Sequence, residues 1–471
     1  MAIATTNPAT GVVEQVFEPL TADDIEASLA LASEAFAAHR LTSFEQRATW
    51  MRSAADVLER DVERIATVMT TEMGKTLASA RAETLKCAAA CRFYAEHAES
   101  FLAPEPVAAD RVGARDAYVR YEPLGPVLAV MPWNFPLWQV VRFAAPALMA
   151  GNVGLLKHAS NVPQSALIIE EVFLAAGFPP GVFQTLLVGA GPVEGILRDR
   201  RVRAATLTGS EPAGRAVAAI AGDEIKPAVL ELGGSDPFVV MPSADVARAA
   251  ATAVVARCQN NGQSCIAAKR FIVHEQVADE FERAFVTGMA ALRVGDPMLD
   301  TTDVGPLANE QGRLDVEALV ADAVTHGATI ACGGARIDGP GFYYPPTVVT
   351  GVTPAMRMYT EEVFGPVATV IRVADADEAV AVANATSFGL GANVWTTDDA
   401  ERERFVRDLD AGAVFVNGMT TSYCDLPFGG VKRSGFGREL SVNGIRAFCN
   451  AKSVWVGDGG SPVVSAGAHA E

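Results

Sequence analysis

Cys265 is the residue that this sequence best suits to nucleophilic chemistry. It follows the turn-prone run Asn260-Asn261-Gly262 and a predicted helix over Asp245–Gln259, so it falls on a loop. A thiol on a loop can meet a substrate, and its thiolate attacks electrophilic carbon. Buried packing is nevertheless the commoner role of a cysteine. We give that interpretation to five others: Cys87, Cys91, Cys258, Cys332 and Cys449.

Glu231 is the candidate base, because no histidine lies in a motif that would activate the thiol. It stands in Val229-Leu230-Glu231-Leu232-Gly233-Gly234, between apolar residues and paired glycines. Burial among such neighbours raises the pKa of a carboxyl group towards the range in which it can accept a proton. The local sequence equally allows a carboxylate that only accepts backbone N–H bonds at the end of a strand or helix.

Asn134 is a candidate oxyanion donor. The loop Met131-Pro132-Trp133-Asn134-Phe135-Pro136 follows a predicted buried strand, and its two prolines restrict the backbone. A rigidly held side-chain amide is the kind of group that stabilises a developing oxyanion. Local sequence alone also allows Asn134 to bond the backbone of its own loop.

Two glycine-containing turns could bind an anionic cofactor. A predicted strand over Ala204–Leu207 leads through Thr208-Gly209-Ser210 into a helix, where free N–H groups and the helix dipole attract an anion. The loop Gly189–Gly195 imitates the GxGxxG fingerprint, but its third glycine comes one place late. Either turn alone is weak evidence, since many such turns contain glycine for steric reasons.

Lys157 and Ser160 extend this candidate cofactor region. Lys157 ends the apolar run Val153–Leu156, and ligands bind at the carboxyl ends of parallel strands in open α/β sheets. Ser160, three residues later, could donate to a ribose hydroxyl or a phosphate. The alternatives are a lysine that extends to solvent and a serine that caps the next helix.

Composition excludes several classes of protein. The 471 residues are 50% hydrophobic and 20% charged, as in globular proteins, and provide chain for about three domains. A net charge of −18 argues against nucleic-acid and membrane-surface partners. The start lacks the pattern of a secretory signal. Seven cysteines without framework spacing favour a reducing cytosol, and no histidine pair stands at zinc-ligand spacing with a cysteine, so no metal site is expected.

The order of elements predicts an α/β fold. Residues 21–105 are predicted to be helical, with segments at Asp24–His39 and Ser43–Met73 and a cap at Thr21 or Asp23. Beyond residue 110, apolar runs alternate with helical segments, which favours βαβ units and doubly wound sheets. The predicted strands are Asp116–Tyr121, Gly125–Met131, Val153–Leu156, Phe183–Val188, Ala204–Leu207, Pro237–Val240, Arg270–Val273, Ala368–Ile371 and Lys452–Val456. The predicted helices of this region are Gln164–Ala176, Val193–Asp199, Ala213–Ala221, Asp245–Gln259, Gln276–Ala291 and Glu310–His326.

Taken together, the motifs resemble the aldehyde dehydrogenase superfamily. They occur in the order of that family and span nearly the whole chain. The form KHASNVP, with Arg142 after the PWNFP loop, is most similar to the NADP-preferring bacterial succinate-semialdehyde dehydrogenase branch. The matching segments are PWNFP (132–136), GNVGLLK (151–157), TGS (208–210), ELGG (231–234), GQSC (262–265), EEVFGPV (361–367) and PFGGVKRSGFGRE (427–439).

The resemblance implies two doubly wound, Rossmann-like α/β domains plus a small β element that joins subunits. A dinucleotide-binding domain would comprise 1–108 and 124–235, and a catalytic domain 236–433. Bridging strands would lie in 109–123 and 447–458, ahead of a flexible tail at 459–471. A cytoplasmic homodimer or dimer of dimers is expected.

The resemblance also implies catalytic roles. Cys265 would attack the aldehyde to give a thiohemiacetal and then a thioester, Asn134 would hold the oxyanion, and Glu231 would activate the hydrolytic water. Cofactor contacts would come from Trp133, Asn134, Lys157, Ser160, Gly209, Ser210, Leu232, Glu362 and Phe364.

The uncharged Ser160 predicts a preference for NADP, with NAD as a weaker cofactor. NAD-preferring relatives carry a glutamate at this place, and its charge would repel a 2′-phosphate. A small-molecule aldehyde, foremost succinate semialdehyde, is the expected substrate.

Arg142, Ser264 and Ser422 are the expected contacts for the substrate's far carboxylate. Gln259 replaces a second arginine that some relatives place before the nucleophile, so glutarate semialdehyde or an uncharged aldehyde stays an alternative. Arg142 could also be structural, paired with a surface carboxylate. Ala267 replaces the second cysteine of relatives that have a regulatory disulfide, so no such switch is expected.

Two other classes of function compete with this interpretation. A cysteine thioesterase or hydrolase would use Cys265 and Glu231 but would need neither Lys157 nor Glu362. A catalytically silent binding protein would need none of the set Asn134, Glu231 and Cys265.

Overall fold

The computed structural model describes residues 2–459, and most of these fall in regular elements. None of the helices within this span combines the length and apolar character that crossing a membrane demands. The strands are β1 (Ile3–Asn7), β2 (Val12–Phe17), β3 (Glu105–Pro106), β4 (Asp116–Pro123), β5 (Pro126–Met131), β6 (Val153–His158), β7 (Phe183–Thr185), β8 (Ala204–Thr208), β9 (Ala228–Glu231), β10 (Pro237–Val240), β11 (Arg270–His274), β12 (Thr329–Cys332), β13 (Thr347–Thr350), β14 (Val367–Val373), β15 (Gly391–Trp395), β16 (Ala413–Val416), β17 (Gly435–Phe436) and β18 (Cys449–Val456). The helices are α1 (Ala22–His39), α2 (Phe44–Arg60), α3 (Val62–Met73), α4 (Leu77–Phe101), α5 (Trp138–Ala150), α6 (Pro163–Ala175), α7 (Val193–Arg198), α8 (Glu211–Asp223), α9 (Val246–Cys258), α10 (Glu275–Ala290), α11 (Glu310–Thr325), α12 (Ala376–Asn384), α13 (Asp399–Asp408) and α14 (Ser441–Arg446).

The first large sheet has the strand order β17-β9-β8-β5-β6-β7. Five neighbouring strands, β9 to β7 in that order, run parallel, and β17 joins antiparallel at the edge. The chain winds from β5 to β7 on one side and then crosses to β8 on the other side of β5. This reversal leaves a crevice at the carboxyl ends of β5 and β8, the place where open α/β sheets bind ligands.

The second large sheet has the order β12-β13-β14-β11-β10-β15-β16. All its pairs are parallel except that of β12 with β13. Its central strands β10 and β11 are buried along their whole length because helices such as α9 and α10 cover the sheet. The two sheets confirm the doubly wound α/β fold class predicted from sequence. The domain boundaries drawn at residues 124, 236 and 433 stay a prediction.

Two small sheets complete the described chain. Strand β4 pairs antiparallel with β18 from Asp116↔Val456 to Pro123↔Cys449, and β3 extends this sheet. Its strands contain the two segments predicted as exposed strands near residues 116 and 452. The predicted flexible tail, apart from residue 459, lies outside the described residues.

Three local features differ from the sequence prediction or sharpen it. Residues 3–17 form an antiparallel hairpin of β1 and β2, which the sequence analysis did not anticipate. The helix predicted over Ser43–Met73 is two helices, because the chain breaks at Asp61. Thr21, not Asp23, caps α1 in a reciprocal capping box with Asp24.

A buried carboxylate, that of Glu72, joins the hairpin to helix α6. Glu72, at the end of α3, is fully buried and accepts from Thr5 Oγ1 at 2.7 Å. It also accepts from the backbone N–H groups of Gln164 and Ser165, both at 2.9 Å, and from Ser165 Oγ at 2.8 Å. These N–H groups lie in the first turn of α6, whose own N-cap residue, Val162, offers no side-chain acceptor.

Replacing Glu72 with alanine should therefore lower the free energy of unfolding by about 3 kcal/mol, because buried donors of Thr5 and α6 lose a charged acceptor. Chemical denaturation of the purified protein measures this change. Glu34→Ala, which removes an exposed carboxylate from α1, serves as the control. Equal denaturation midpoints for the two variants would contradict the prediction.

Candidate active site

The loop that carries Cys265 is fixed by two asparagines in left-handed conformation. Asn260 and Asn261 have φ values of 53° and 57°, which asparagine tolerates better than most residues. Asn260 Nδ2 donates to the backbone oxygens of Asn134 (2.7 Å) and Gln263 (3.0 Å). Asn261 Nδ2 donates to Gly74 O (2.8 Å) and Pro306 O (3.0 Å). The turn predicted after α9 is therefore anchored to both halves of the chain.

Lys269 holds the other end of the loop. Its buried ammonium donates to the backbone oxygens of Ser264 (2.7 Å) and Cys265 (2.6 Å). It also lies 3.3 Å from Glu362 Oε1, so one cation joins the nucleophile's backbone to a predicted cofactor residue.

The Cys265 thiol is half-buried beside these groups. Burial raises its pKa to about 12, although the positive charges of Lys269 and Arg142 act in the opposite direction. The sulfur is therefore protonated at neutral pH in this state, and thiolate chemistry requires a base.

A cavity of about 240 Å³ opens where β5 and β8 end, at the reversal of strand order. It combines the PWNFP and TGS loops and the segment after β9 of the first sheet with the loops before β11 and β14 of the second. Phe364 and Trp133 meet edge to face there, with ring centroids 5.8 Å apart. The lining residues are Pro132, Trp133, Asn134, Gln139, Thr208, Gly209, Ser210, Leu232, Gly233, Cys265, Glu362 and Phe364.

The lining of this cavity fits a dinucleotide. A Cβ at Gly209 would meet only Leu207, at 3.7 Å, so this stretch of backbone lies open. Ser210 is the N-cap of α8, yet its side chain makes no capping bond. Asn134 Nδ2 donates one hydrogen bond to Gln263 O (3.0 Å), which leaves its second amide hydrogen for a ligand.

Lys157 and Ser160 follow the same edge of the sheet but do not line this cavity. Lys157 is the penultimate residue of β6 and is partly buried, and burial lowers its pKa. Within residues 2–459 it forms no hydrogen bond or ion pair through its side chain. Ser160 does not cap α6, whose N-cap is Val162, so the capping alternative raised from the sequence is wrong.

A second cavity, of about 190 Å³, reaches Cys265 from the other side. It contains all three predicted substrate residues together with Gln259, and Cys265 is common to both cavities. Helix α4 contributes a lysine that the sequence analysis did not name. The lining residues are Ser79, Ala82, Glu83, Lys86, Phe135, Trp138, Gln139, Arg142, Gln259, Asn260, Ser264, Cys265, Ile266, Thr421, Ser422 and Phe428.

Arg142 borders this second cavity but is already paired. Its guanidinium forms a buried ion pair with Glu439, and its Nη2 donates to Thr208 Oγ1 at 3.2 Å. It also stacks over the Phe428 ring, 4.5 Å from the centroid. Arg142 therefore has a structural role, and its partner is the buried Glu439. Its Nη1 atom makes no hydrogen bond within residues 2–459.

Glu231 lines neither cavity in this structure. It ends β9 and is buried, and neither carboxylate oxygen has a hydrogen-bond partner within residues 2–459. Burial, and then the negative charge of Glu439, raise its pKa well above the ordinary value, while Arg142 and Arg438 act in the opposite direction. Glu231 and Glu439 are thus two buried carboxyl groups beside Arg142, and the negative charge of Glu439 disfavours ionisation of Glu231.

Comparison with known proteins decides the family. The aldehyde dehydrogenase family profile matches residues 1–454. The chain belongs to the aldehyde dehydrogenase family. This confirms the family and the fold that the motifs predicted.

Two curated members of the aldehyde dehydrogenase family match nearly the whole chain. The NADP(+) succinate-semialdehyde dehydrogenase 1 of Mycobacterium tuberculosis (strain ATCC 25618 / H37Rv) is 64% identical over 456 residues, covering 97% of this chain and 100% of that protein. The NADP(+) succinate-semialdehyde dehydrogenase of Mycobacterium avium (strain 104) is 63% identical over 472 residues, covering 100% of each.

A solved aldehyde dehydrogenase shows the same architecture. The crystal structure of succinic semialdehyde dehydrogenase from Streptococcus pyogenes in complex with NADP+ has a TM-score of 0.94 and 35% sequence identity to this chain. It covers 97% of this chain and 100% of that one.

Besides Lys86 of α4, sequence reasoning missed three residues in or beside this candidate site. Lys269 and Glu439 are buried charges whose partners lie far away along the chain, so no local spacing reveals them. Gln139 is buried with an unpartnered Oε1 within the described chain, and it borders both cavities. A charged residue within an apolar stretch, as at Lys269, is the one signal that could have prompted a search.

The proximity of Glu439 and Arg142 to Glu231 predicts that two variants shift the pH dependence of kcat in opposite directions. Glu439→Gln removes the like charge that raises the pKa of Glu231, so the acid limb of the kcat profile should move to lower pH. Arg142→Met removes a positive charge that lowers this pKa, so the limb should move to higher pH. Steady-state rates from pH 5 to 10 (on the order of ten points) resolve the limbs.

Glu439→Asp, which keeps the charge, is the control. The groups facing Glu231 are Glu439, Arg142 and Arg438. If both charge-removing variants shifted the limb in the same direction, the charge pair would not govern it.

Proposed function

We propose that this aldehyde dehydrogenase oxidises succinate semialdehyde to succinate with NADP+. The observation that carries the proposal is the position of Cys265 between a cavity that fits a dinucleotide and one that carries cationic side chains. A thiol there can hold an aldehyde carbon facing the cofactor while the rest of the substrate lies in the second cavity. The names of the curated relatives support the same substrate and cofactor.

The proposed chemistry begins when Glu231, after its side chain reorients, takes the proton of the Cys265 thiol and then releases it to solvent. The thiolate attacks the aldehyde carbon, which forms a C–S bond and an alkoxide. The free amide hydrogen of Asn134 and the backbone N–H of Cys265 would stabilise that oxyanion. Bound NADP+ supplies a hydride acceptor. Loss of the aldehyde hydrogen with its electron pair leaves a thioester on the sulfur, which water must then cleave.

Glu231 is the proposed base for that hydrolysis. Burial and the negative charge of Glu439 raise its pKa above the ordinary carboxyl value, which favours acceptance of a proton. Because its carboxylate lies beside Glu439 and lines neither cavity, its side chain must reorient to reach water at the thioester. Glu231 would take a proton from that water as the new C–O bond forms and the C–S bond breaks.

The proposed cofactor contacts follow the edge of the first sheet. Lys157 and Ser160 would meet the adenosine ribose and its 2′-phosphate, since Lys157 is an unpaired, partly buried cation within the described chain. Ser210, beside Gly209, would meet the pyrophosphate. Nearer the nucleophile, the nicotinamide half would contact Trp133, Asn134, Leu232, Glu362 and Phe364.

The proposed substrate contacts lie in the second cavity. Arg142 would use its open Nη1 atom, and Ser264 and Ser422 would use their hydroxyl groups, to bind the far carboxylate. Ser264 Oγ is buried and has no hydrogen-bond partner within residues 2–459, which supports a polar ligand nearby.

We further propose the organisation that the family resemblance implied. Residues 1–108 with 124–235 would bind the dinucleotide, 236–433 would carry the nucleophile, and 109–123 with 447–458 would join subunits as a homodimer or dimer of dimers. Edge strand β18 exposes Trp455, which supports coverage by another chain. A cytoplasmic location fits the free thiols, Cys87 and Cys91 among them.

A substrate panel tests the proposed function. The highest kcat/KM should occur with succinate semialdehyde and NADP+, compared with glutarate semialdehyde and butanal and with NAD+, and Cys265→Ala should abolish turnover. Reduced-nicotinamide absorbance gives the rates. Thioester hydrolysis without nicotinamide and without aldehyde oxidation would favour the cysteine hydrolase alternative instead.

Ser160→Glu should reverse the cofactor preference. A carboxylate about 4 Å from a 2′-phosphate at an effective dielectric constant near 20 is repelled by about 4 kcal/mol, so the ratio of kcat/KM for NADP+ over NAD+ should fall by roughly tenfold or more even after solvent screening. Ser160→Gln, which adds the same bulk without charge, is the control. An equal fall in both variants would indicate a steric effect and no charge discrimination.

A further inference from the structure

Lys86 is an unpaired cation in the cavity that reaches Cys265. It lies on α4, where Ser79, Ala82 and Glu83 share its face at helical spacing and line the same cavity. Its ammonium lies 4.2 Å from the centroid of the Trp138 ring and donates to Ser422 Oγ at 2.7 Å. Within residues 2–459 it forms no ion pair with a carboxylate.

The acidic side chain that lines this cavity, Glu83, is already paired. Glu83 Oε2 forms a buried ion pair with Lys75, and its Oε1 accepts from the backbone N–H groups of Leu137 and Trp138, both at 2.9 Å. Both carboxylate oxygens of Glu83 are thus engaged elsewhere, and within residues 2–459 Glu83 forms no hydrogen bond or ion pair with Lys86. It fixes the start of α5 instead, the helix that carries Trp138.

The charges that line this cavity do not cancel. Glu83 is balanced by Lys75, and Arg142 is balanced by Glu439. Lys86 remains, so the cavity carries an excess positive charge that an anionic ligand would neutralise.

Ser422 completes a set of donors around this charge. Its Oγ accepts from Lys86 Nζ and also from Trp138 Nε1, at 3.0 Å, so its own hydroxyl hydrogen is not used in either bond. A serine hydroxyl has one hydrogen to donate, and an ammonium has three. Lys86 and Ser422 can therefore donate together to one carboxylate in the cavity.

We infer that Lys86, with Ser422, is the principal anchor for the distal carboxylate of the aldehyde substrate and determines specificity for it. This inference rests on the proposed function and extends it. Some relatives have an arginine at the position of Gln259. In this chain Lys86 of α4 would supply the second cation that binds the substrate carboxylate. Arg142 acts beside it with its charge largely offset by Glu439.

The ionisation of Lys86 supports this assignment. Burial, and then the charge of Arg142, lower its pKa to about 8, so it is protonated at neutral pH and loses its charge above that value. The other groups that face it are Glu83 and Cys87 on α4 and Cys424 on the loop after β16. The KM for an anionic aldehyde should therefore rise as the pH passes above about 8.

Lys86→Met tests the inference in the full-length protein with NADP+. The KM for succinate semialdehyde should rise by roughly tenfold or more, on the scale of a charged hydrogen bond. The KM for butanal, which has the same carbon chain without the carboxylate, should stay within about threefold. Lys86→Arg should keep most of the preference for the anionic aldehyde, and its KM should no longer rise above pH 8, since arginine keeps its charge.

Arg283→Met, which removes an exposed cation of α10 outside both cavities and the proposed subunit-joining strands, is the control and should change neither KM. Thermal unfolding of each variant verifies that it is folded. An unchanged KM for succinate semialdehyde in Lys86→Met, or an equal rise for both aldehydes, would overturn the inference and leave the proposed function intact. A wild-type protein that does not prefer succinate semialdehyde to butanal would overturn the proposed substrate and the inference with it.

Discussion

The site depends on the loop Asn260–Cys265 being held rigidly between two sheets. Asn260 and Asn261 adopt left-handed conformations that cost energy. The hydrogen bonds that their side-chain amides donate to distant backbone oxygens offset that cost. Lys269 clamps the other end through the Ser264 and Cys265 carbonyl oxygens. A single sulfur is thereby shared by two cavities, and every step proposed for this chain requires that sharing.

Balance of buried charge is the second constraint. Three buried ion pairs lie around the site, and removing one partner of any pair would leave an isolated buried charge. These pairs are Lys75 with Glu83, Arg142 with Glu439, and Lys269 with Glu362. Lys86 departs from this pattern in the cavity that the substrate would enter. An excess charge is tolerated there because the cavity admits water and ligand, whereas the sealed interior around Lys75 does not.

Part of the site could be located from the rule that ligands bind at the carboxyl ends of parallel strands. Asn134 and Gly209 were predicted from a rigid loop after β5 and a glycine turn after β8, and that rule added Lys157, near the end of β6. The rule does not lead to Cys265 or Glu362, because the second sheet contributes loops that precede β11 and β14. Those two residues were found from a turn signal and from family resemblance. The hairpin of β1 and β2 was missed because its strands are short and largely exposed, with little alternation of apolar residues.

Apolar periodicity and contiguous motifs are local properties of the chain, so the α/β class, the family and a candidate nucleophile could be predicted from the residues alone. Which charges meet depends on the folded chain. It paired Arg142 with Glu439 across 297 positions (142 to 439) and left Lys86 unpaired beside Ser422. Such partners are brought together by the packing of α4 and α5 against the C-terminal segment, and the attraction between two charges depends on their distance in space and not on their separation along the chain.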